Sequence, residues 1–172
     1  MSEKIKEWPG VALKDADIKE KKVLFTEWRP NLKYAWDTGV GYGRYFEGLR
    51  NGRIVGTRCN KCHRVLLPAR AFCEWCFRTV DEWVYLKDTG TVNTFSIAYT
   101  GTQAERLKEP RIPALIEIDG SNGVGIMHLL GEVDPKNVKN GMRVKAVWKP
   151  KEQRQGAITD IKYWKPFEEG TR

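Results

Sequence analysis

The stretch Cys59-Asn60-Lys61-Cys62, followed after ten residues by Cys73-Glu74-Trp75-Cys76, decides how the chain is read. These two Cys-x-x-Cys pairs use all four cysteines of the 172 residues. Two residues between paired cysteines let both sulfurs turn inward from one tight knuckle. Two knuckles supply the four soft thiolates of a tetrahedral metal site. Four unrelated thiols, or two disulfides, are the plainer readings, and the symmetry of the spacing argues against both. The spacing predicts a metal held by Cys59, Cys62, Cys73 and Cys76, zinc before a rubredoxin-type iron. A tetrathiolate site has no open coordination position, so this metal holds shape and does not activate water. A ribbon of about twenty residues is too short to bury a core. Metal binding, on the order of 10 kcal/mol or more, takes the place of one.

Outward from the knuckles, composition sets the class. Hydrophobic residues make up 41% and charged residues 30%, the balance of a soluble globular chain and not of a disordered one. No apolar run approaches the roughly 18 residues needed to span a bilayer. The charged start, Met1-Ser-Glu-Lys-Ile-Lys-Glu7, has no signal-peptide core. A cytoplasmic protein with no membrane partner is therefore expected. Net charge is +8, which favours an anionic partner. Residues 1–58 contribute +4, residues 59–80 contribute +3 and residues 81–172 only +1. The nearly neutral C-terminal half weakens the case for a long nucleic-acid groove there.

Three segments follow. Residues 1–37 are an N-terminal arm with apolar anchors (Val23-Leu24-Phe25, Trp28, Tyr34, Trp36) among charges, packing on the protein's own body or on a partner. Residues 38–80 hold a helix and the zinc ribbon. Tyr42, Tyr45, Phe46 and Leu49 fall at i, i+3, i+4 and i+7 over 39–51, a helical packing face with Thr38 as N-cap and Gly52 as stop. The glycines at 39, 41 and 43 count against its first turn. His63 and Phe77 hold positions after a knuckle where positive φ is often needed. Residues 81–172 alternate with period two. Ile112, Ala114, Ile116 and Ile118 share one face, as do Val124, Ile126, His128 and Leu130, then Met142, Val144, Ala146 and Trp148, with 158–164 closing the series. Asp119-Gly-Ser-Asn-Gly123 is a hairpin signal, and Asp134-Pro135 opens a short helix ending near Gly141. The fold class expected is mostly β with an N-terminal helix: a rubredoxin-like zinc ribbon, then a five-stranded OB-fold barrel.

No catalytic constellation stands out. All four cysteines go to metal, His63 adjoins a ligand, and His128 lies on an apolar strand face as a hydrogen-bonded core residue. No nucleophile elbow, phosphate loop or dinucleotide fingerprint is present. A binding or assembly role comes first. One reading is a nucleic-acid binder, since both modules serve that way. The other is a binder of a phosphate-bearing small molecule, or of a protein that handles one. Arg58, Lys61, Arg64 and Arg70 surround the knuckles, and Arg106, Lys108, Arg111, Lys151 and Arg154 lie in barrel loops. Any of them could meet phosphate, or simply keep the surface soluble.

The order of motifs adds a resemblance. Tyr45-Phe-Glu-Gly-Leu-Arg-Asn-Gly52, Thr57-Arg-Cys59-x-x-Cys62, Leu67-Pro-Ala-Arg70 and Cys73-x-x-Cys76 come in turn, then Gly90-Thr-Val92 and Gly141-Met-Arg-Val144. Over residues 40–167 the chain resembles the thiolase-associated zinc-ribbon/OB-fold proteins, a domain of unknown function linked to acyl-CoA. Ala69 stands where that family usually has a second proline before Arg70, and His63 and Phe77 where it has glycine. The resemblance implies a non-catalytic accessory or scaffold protein. It would dock on a thiolase-fold enzyme, of thiolase or hydroxymethylglutaryl-CoA synthase type, and help hold CoA intermediates. Arg58, Lys61, Arg64, Arg70, Arg106, Lys108 and Arg111 are the candidate CoA contacts.

Overall fold

Local sequence accounts for most of the elements. The computed structural model describes residues 14–23, 31–102 and 104–167, and the chain divides into two units, Met1–Trp36 and Asp37–Arg172. In the first unit, α1 (Asp15–Lys19) is one short turn with acidic residues at its start and Lys19 at its end, the polarity the helix dipole favours. The Tyr34 and Trp36 rings lie 6.4 Å apart. The anchors Leu24, Phe25 and Trp28 fall outside the described residues.

The second unit opens with α2 (Gly39–Arg50). Tyr45 and Leu49 are buried and Phe46 packs on the same core, while Tyr42 is half-exposed at the edge of the stripe. The expected Thr38 cap makes no side-chain bond. Asp37 caps instead, its Oδ1 accepting the Gly39 N–H at 2.7 Å. The first turn forms despite its glycines because the helix lies against the ribbon backbone. A Cβ on Gly41 would sit 2.9 Å from both the Ala69 carbonyl oxygen and Arg70 Cα. Only glycine allows that approach.

The ribbon follows. β1 (Ile54–Arg58) pairs antiparallel with β2 (Val65–Leu66) on one side and β5 (Glu82–Leu86) on the other. β3 (Phe72–Cys73) and β4 (Arg78–Thr79) make the second knuckle's hairpin. The alternation at Glu82–Leu86 reads in sequence as leading into the barrel. Its hydrogen bonds instead complete the ribbon's sheet before the chain passes on.

The barrel has five strands. β6 (Thr89–Phe95) pairs with β8 (Arg106–Ile118), β8 with β9 (Gly125–Leu130), and β10 (Arg143–Trp148) with both β6 and β11 (Ile161–Pro166). A parallel contact between β9 and β11, Leu130 opposite Trp164, closes the ring. β7 (Ala98–Thr100) pairs with the first half of β8 as a two-stranded extension. The period-two faces point inward as read: Ile112, Ala114, Ile116 and Ile118 meet Ile126, Leu130, Val144, Ala146 and the fully buried Trp164. The helix expected from Asp134-Pro135 is a single 3-10 turn, Pro135–Asn137, with Asp134 accepting the Lys136 N–H at 2.9 Å. His128 Nε2 lies 3.3 Å from the Ile158 carbonyl oxygen, the core hydrogen bond expected of it.

Candidate metal centre and the basic residues around it

The hairpin geometry of the two knuckles brings four sulfurs to one point. The Sγ atoms of Cys59, Cys62, Cys73 and Cys76 all lie within 4.8 Å of one another, and none is in a disulfide. Cys62 and Cys73 Sγ are 3.7 Å apart. The edge of a tetrahedron with metal–sulfur bonds of about 2.3 Å is about 3.8 Å, so the donor set fits a four-coordinate metal. Electrostatics point the same way. The backbone N–H of Cys62, then that of Lys61, faces the Cys59 sulfur and draws its pKa down to about 7, against the pull of burial. Burial, and then the three neighbouring sulfurs, push Cys76 up to about 12. Four thiolates this close repel one another unless a cation sits among them.

Both knuckles turn through left-handed backbone, with φ of 59° at His63 and 50° at Phe77. Histidine tolerates this region and phenylalanine does so at a cost. Three side chains whose roles the sequence did not reveal hold the knuckles in place. Asp81 Oδ2 accepts the Asn60 N–H at 2.7 Å, and its other oxygen meets Arg78 at 2.7 Å. Buried Thr57 donates its hydroxyl to the Arg70 carbonyl at 2.8 Å and accepts the Arg70 N–H at 3.2 Å, tying the two halves of the ribbon together. Asn122, in the turn between β8 and β9, donates its amide N–H to the His63 carbonyl at 3.2 Å. The only forward signals were an acid just past the second knuckle and a threonine just before the first.

The seven basic candidates do not converge. Arg64 and Arg70 both face Glu74, at 3.0 and 3.4 Å, and Arg58 faces Glu82 at 3.7 Å. The backbone N–H of Glu74, then Arg64 and Arg70, keep that carboxyl below its usual range. Arg64 also lies 3.9 Å over the Trp75 ring. Lys61 is exposed and in no ion pair among the described residues. Arg106, Lys108 and Arg111 sit on the first half of β8, where it pairs with β7. The turn that touches the first knuckle lies beyond the other end of that 13-residue strand. At about 3.3 Å per residue, the two groups stand at opposite ends of one long element.

A helix, a four-thiol ribbon and a five-stranded OB barrel in this order define a zinc-ribbon/OB-fold protein. Residues 46–82 match the family described as the rubredoxin-like zinc ribbon domain of ChsH2, and residues 83–149 match the C-terminal OB-fold domain of ChsH2. A crystal structure from Sulfolobus solfataricus, described as a DUF35-family protein of unknown function, is 31% identical with a TM-score of 0.54, over 63% of this chain and 78% of that one. The chain belongs to the DUF35 family. It is also similar to proteins named DUF35 domain-containing scaffold protein. The one from Methanothermobacter thermautotrophicus is 24% identical over 69% of this chain and 87% of the relative. The one from Pyrococcus furiosus is 28% identical over 60% and 75%. A structure described as the Ltp2-ChsH2(DUF35) aldolase shares the fold, with a TM-score of 0.55 at 21% identity over 80% of this chain and 98% of that one.

Proposed function

We propose that this protein is a non-catalytic accessory subunit, a scaffold that docks on a thiolase-fold enzyme and helps hold its acyl-CoA. The observation that carries this reading is similarity, over most of their length, to two relatives named as scaffold proteins. The chemistry of the chain supports it. Carbon–carbon bond formation on thioesters needs a thiol nucleophile and general bases. Here every cysteine belongs to one closed four-sulfur cluster, and His128 is engaged with the Ile158 carbonyl inside the barrel. The partner would supply the reacting groups. The metal on this reading is structural zinc, and the complex works in the cytoplasm.

Exposed aromatics at the second knuckle favour a docking role. Phe72 and Phe77 stack edge to face at 6.3 Å, with Trp75 beside them in sequence, and all three are exposed. Clustered exposed aromatics of this kind mark interaction surfaces. Lys61, Arg106, Lys108 and Arg111 form no ion pair among the described residues and could contact a CoA phosphate, whereas Arg58, Arg64 and Arg70 each already face a carboxylate.

The test is co-purification of the tagged full chain with thiolase-fold enzymes of its own organism, with a binding titration against acetyl-CoA and RNA at two salt concentrations. A stable enzyme complex and acetyl-CoA binding are expected. No complex, together with tight RNA binding that falls steeply with log salt, would replace this reading with a nucleic-acid binder.

A further inference from the structure

A second basic region lies away from the knuckles and differs in kind. Arg44 on α2, Arg53 between α2 and β1, and Lys151 in the loop joining β10 to β11 line an open groove of ≈ 680 Å³. Glu47, Asn51 and Tyr85 complete the part that matters. None of the three cations forms an ion pair among the described residues. Two are held by aromatic rings instead: the Arg53 guanidinium lies 5.7 Å over Tyr85, and that of Arg44 lies 4.4 Å over Trp83. A carboxylate would orient a guanidinium and cancel its charge. A ring orients it and leaves the charge available.

The third cation stands on a loop fixed from below. Buried Asp160 accepts backbone N–H groups of Gln155, Gly156 and Ala157 at 2.7 to 3.2 Å. Arg50 donates to the Gln155 carbonyl at 3.1 Å, and Arg154 Nε to the Lys149 carbonyl at 2.8 Å. The loop is therefore tied to α2 before any ligand arrives, which lowers the ordering cost of binding. Past Arg53 and Tyr85, which serve as a shared wall, a second cleft of ≈ 420 Å³ begins, with Ile54 and Leu86 among its walls. Tyr85 is 60% exposed. Three cations in no ion pair among the described residues, with Glu47 beside them, thus stand on one side of an exposed tyrosine, and a mixed cleft that also carries Lys87 and Asp88 lies on the other.

We propose that this groove binds a phosphorylated nucleoside, with its phosphates among Arg44, Arg53 and Lys151 and its base against Tyr85. Charge-assisted hydrogen bonds from guanidinium and ammonium groups hold phosphate, and a flat base stacks on an exposed ring whatever its sequence context. This deepens the function proposed above and rests on it for the ligand's identity: the nucleotide end of a CoA thioester would lie here, at residues not among the seven candidates drawn from sequence.

The experiment is calorimetric titration of the metal-loaded full chain with ADP, CoA, adenosine, pantetheine and an RNA 12-mer. The unsubstituted protein is compared with Arg53→Gln, Lys151→Gln and Tyr85→Leu, and with Lys162→Ala as a control away from the groove. Thermal melts establish that each variant is folded. ADP and CoA should bind, adenosine and pantetheine should bind far more weakly, and each groove variant should lose about tenfold or more in affinity for ADP and CoA. The proposal is overturned if neither ADP nor CoA binds the unsubstituted chain, or if both bind the groove variants as well as they bind the control. It is also overturned if the RNA outcompetes ADP with a steep salt dependence, which would make the groove a nucleic-acid surface. Enzyme co-purification is read separately. Nucleotide binding in the groove without an enzyme complex refutes only the accessory role, and a complex whose CoA affinity ignores the groove variants refutes only the groove.

Discussion

The ribbon and the barrel are both small antiparallel β structures, yet they are held together by different means. The ribbon's buried cluster consists of Cys59, Leu66 and Cys73, with Cys62, Cys76 and Val80 around it. Four of those six residues are the clustered cysteines, placed to hold a metal. The barrel buries a continuous apolar interior from five strands, Trp164 among them, and extends it under α2 through Tyr45 and Leu49 and onto the ribbon through Ile54, Leu67 and Ala69. One part gathers four thiols suited to a metal where the other builds an apolar core. Their stabilities should therefore answer to different variables, metal supply for the ribbon and apolar burial for the barrel.

Removing a ligand is the sharpest way to break that comparison. Cys73→Ser should abolish stoichiometric metal binding and forfeit on the order of 10 kcal/mol of apparent binding free energy. The ribbon should unfold while the barrel's amides stay protected, read by metal analysis and hydrogen exchange. If the barrel's protection is lost with the metal, the two parts are one cooperative unit. The reciprocal change is Trp164→Ala, which should cost the barrel about 3 to 5 kcal/mol in urea denaturation and leave the metal content at one per chain.

A smaller difference should appear with acid. The Arg143 guanidinium, donating to both Asp119 oxygens at 2.8 and 2.6 Å, holds that carboxyl down at about 2, with help from Thr89. A carboxyl whose folded pKa is depressed stabilises the fold above its unfolded value, near 3.8, and loses that stabilisation as pH falls toward 2. The pair is partly exposed, so its contribution is about 1 kcal/mol once screening is counted. Asp119→Asn should be less stable than the natural chain at pH 5 by that amount, and the gap should close on acidification. Barrel unfolding followed at each pH measures it, and a gap independent of pH would mean the pair adds nothing through its charge. The smallest effect is expected at Phe77→Gly, where relief of left-handed backbone should strengthen the ribbon by about 0.5 kcal/mol. A chelator-competition midpoint reports it, and a loss there would show that the Phe72 contact outweighs the strain.

Much of this was legible because it is periodic or local. The cysteine spacing gave the four-sulfur cluster, and residues two apart, such as Ile112, Ala114 and Ile116, gave the inward barrel faces. The left-handed turns at His63 and Phe77 followed from their place after each knuckle. Partner choice was not legible. The arginines beside the cysteines looked like a phosphate site, but Glu74 and Glu82 neutralise them. Glu82 lies on β5, across the sheet from Arg58. The groove, by contrast, draws Arg44, Arg53 and Lys151 from a helix, a turn and a loop about a hundred residues further on. No motif joins them, because only tertiary packing does. The glycines of α2 misled in the same way. Their cost in an isolated helix is real, but a close backbone approach at Gly41 decides the matter.

The parallel contact between Leu130 and Trp164 carries a consequence for the order of assembly. The strand that seals the barrel is its last, whereas every ribbon strand is complete by Leu86. As the chain leaves the ribosome, the knuckles can capture their ion while half of the barrel is still unmade. A metallated ribbon would then be the fixed edge beside which the rest of the molecule closes.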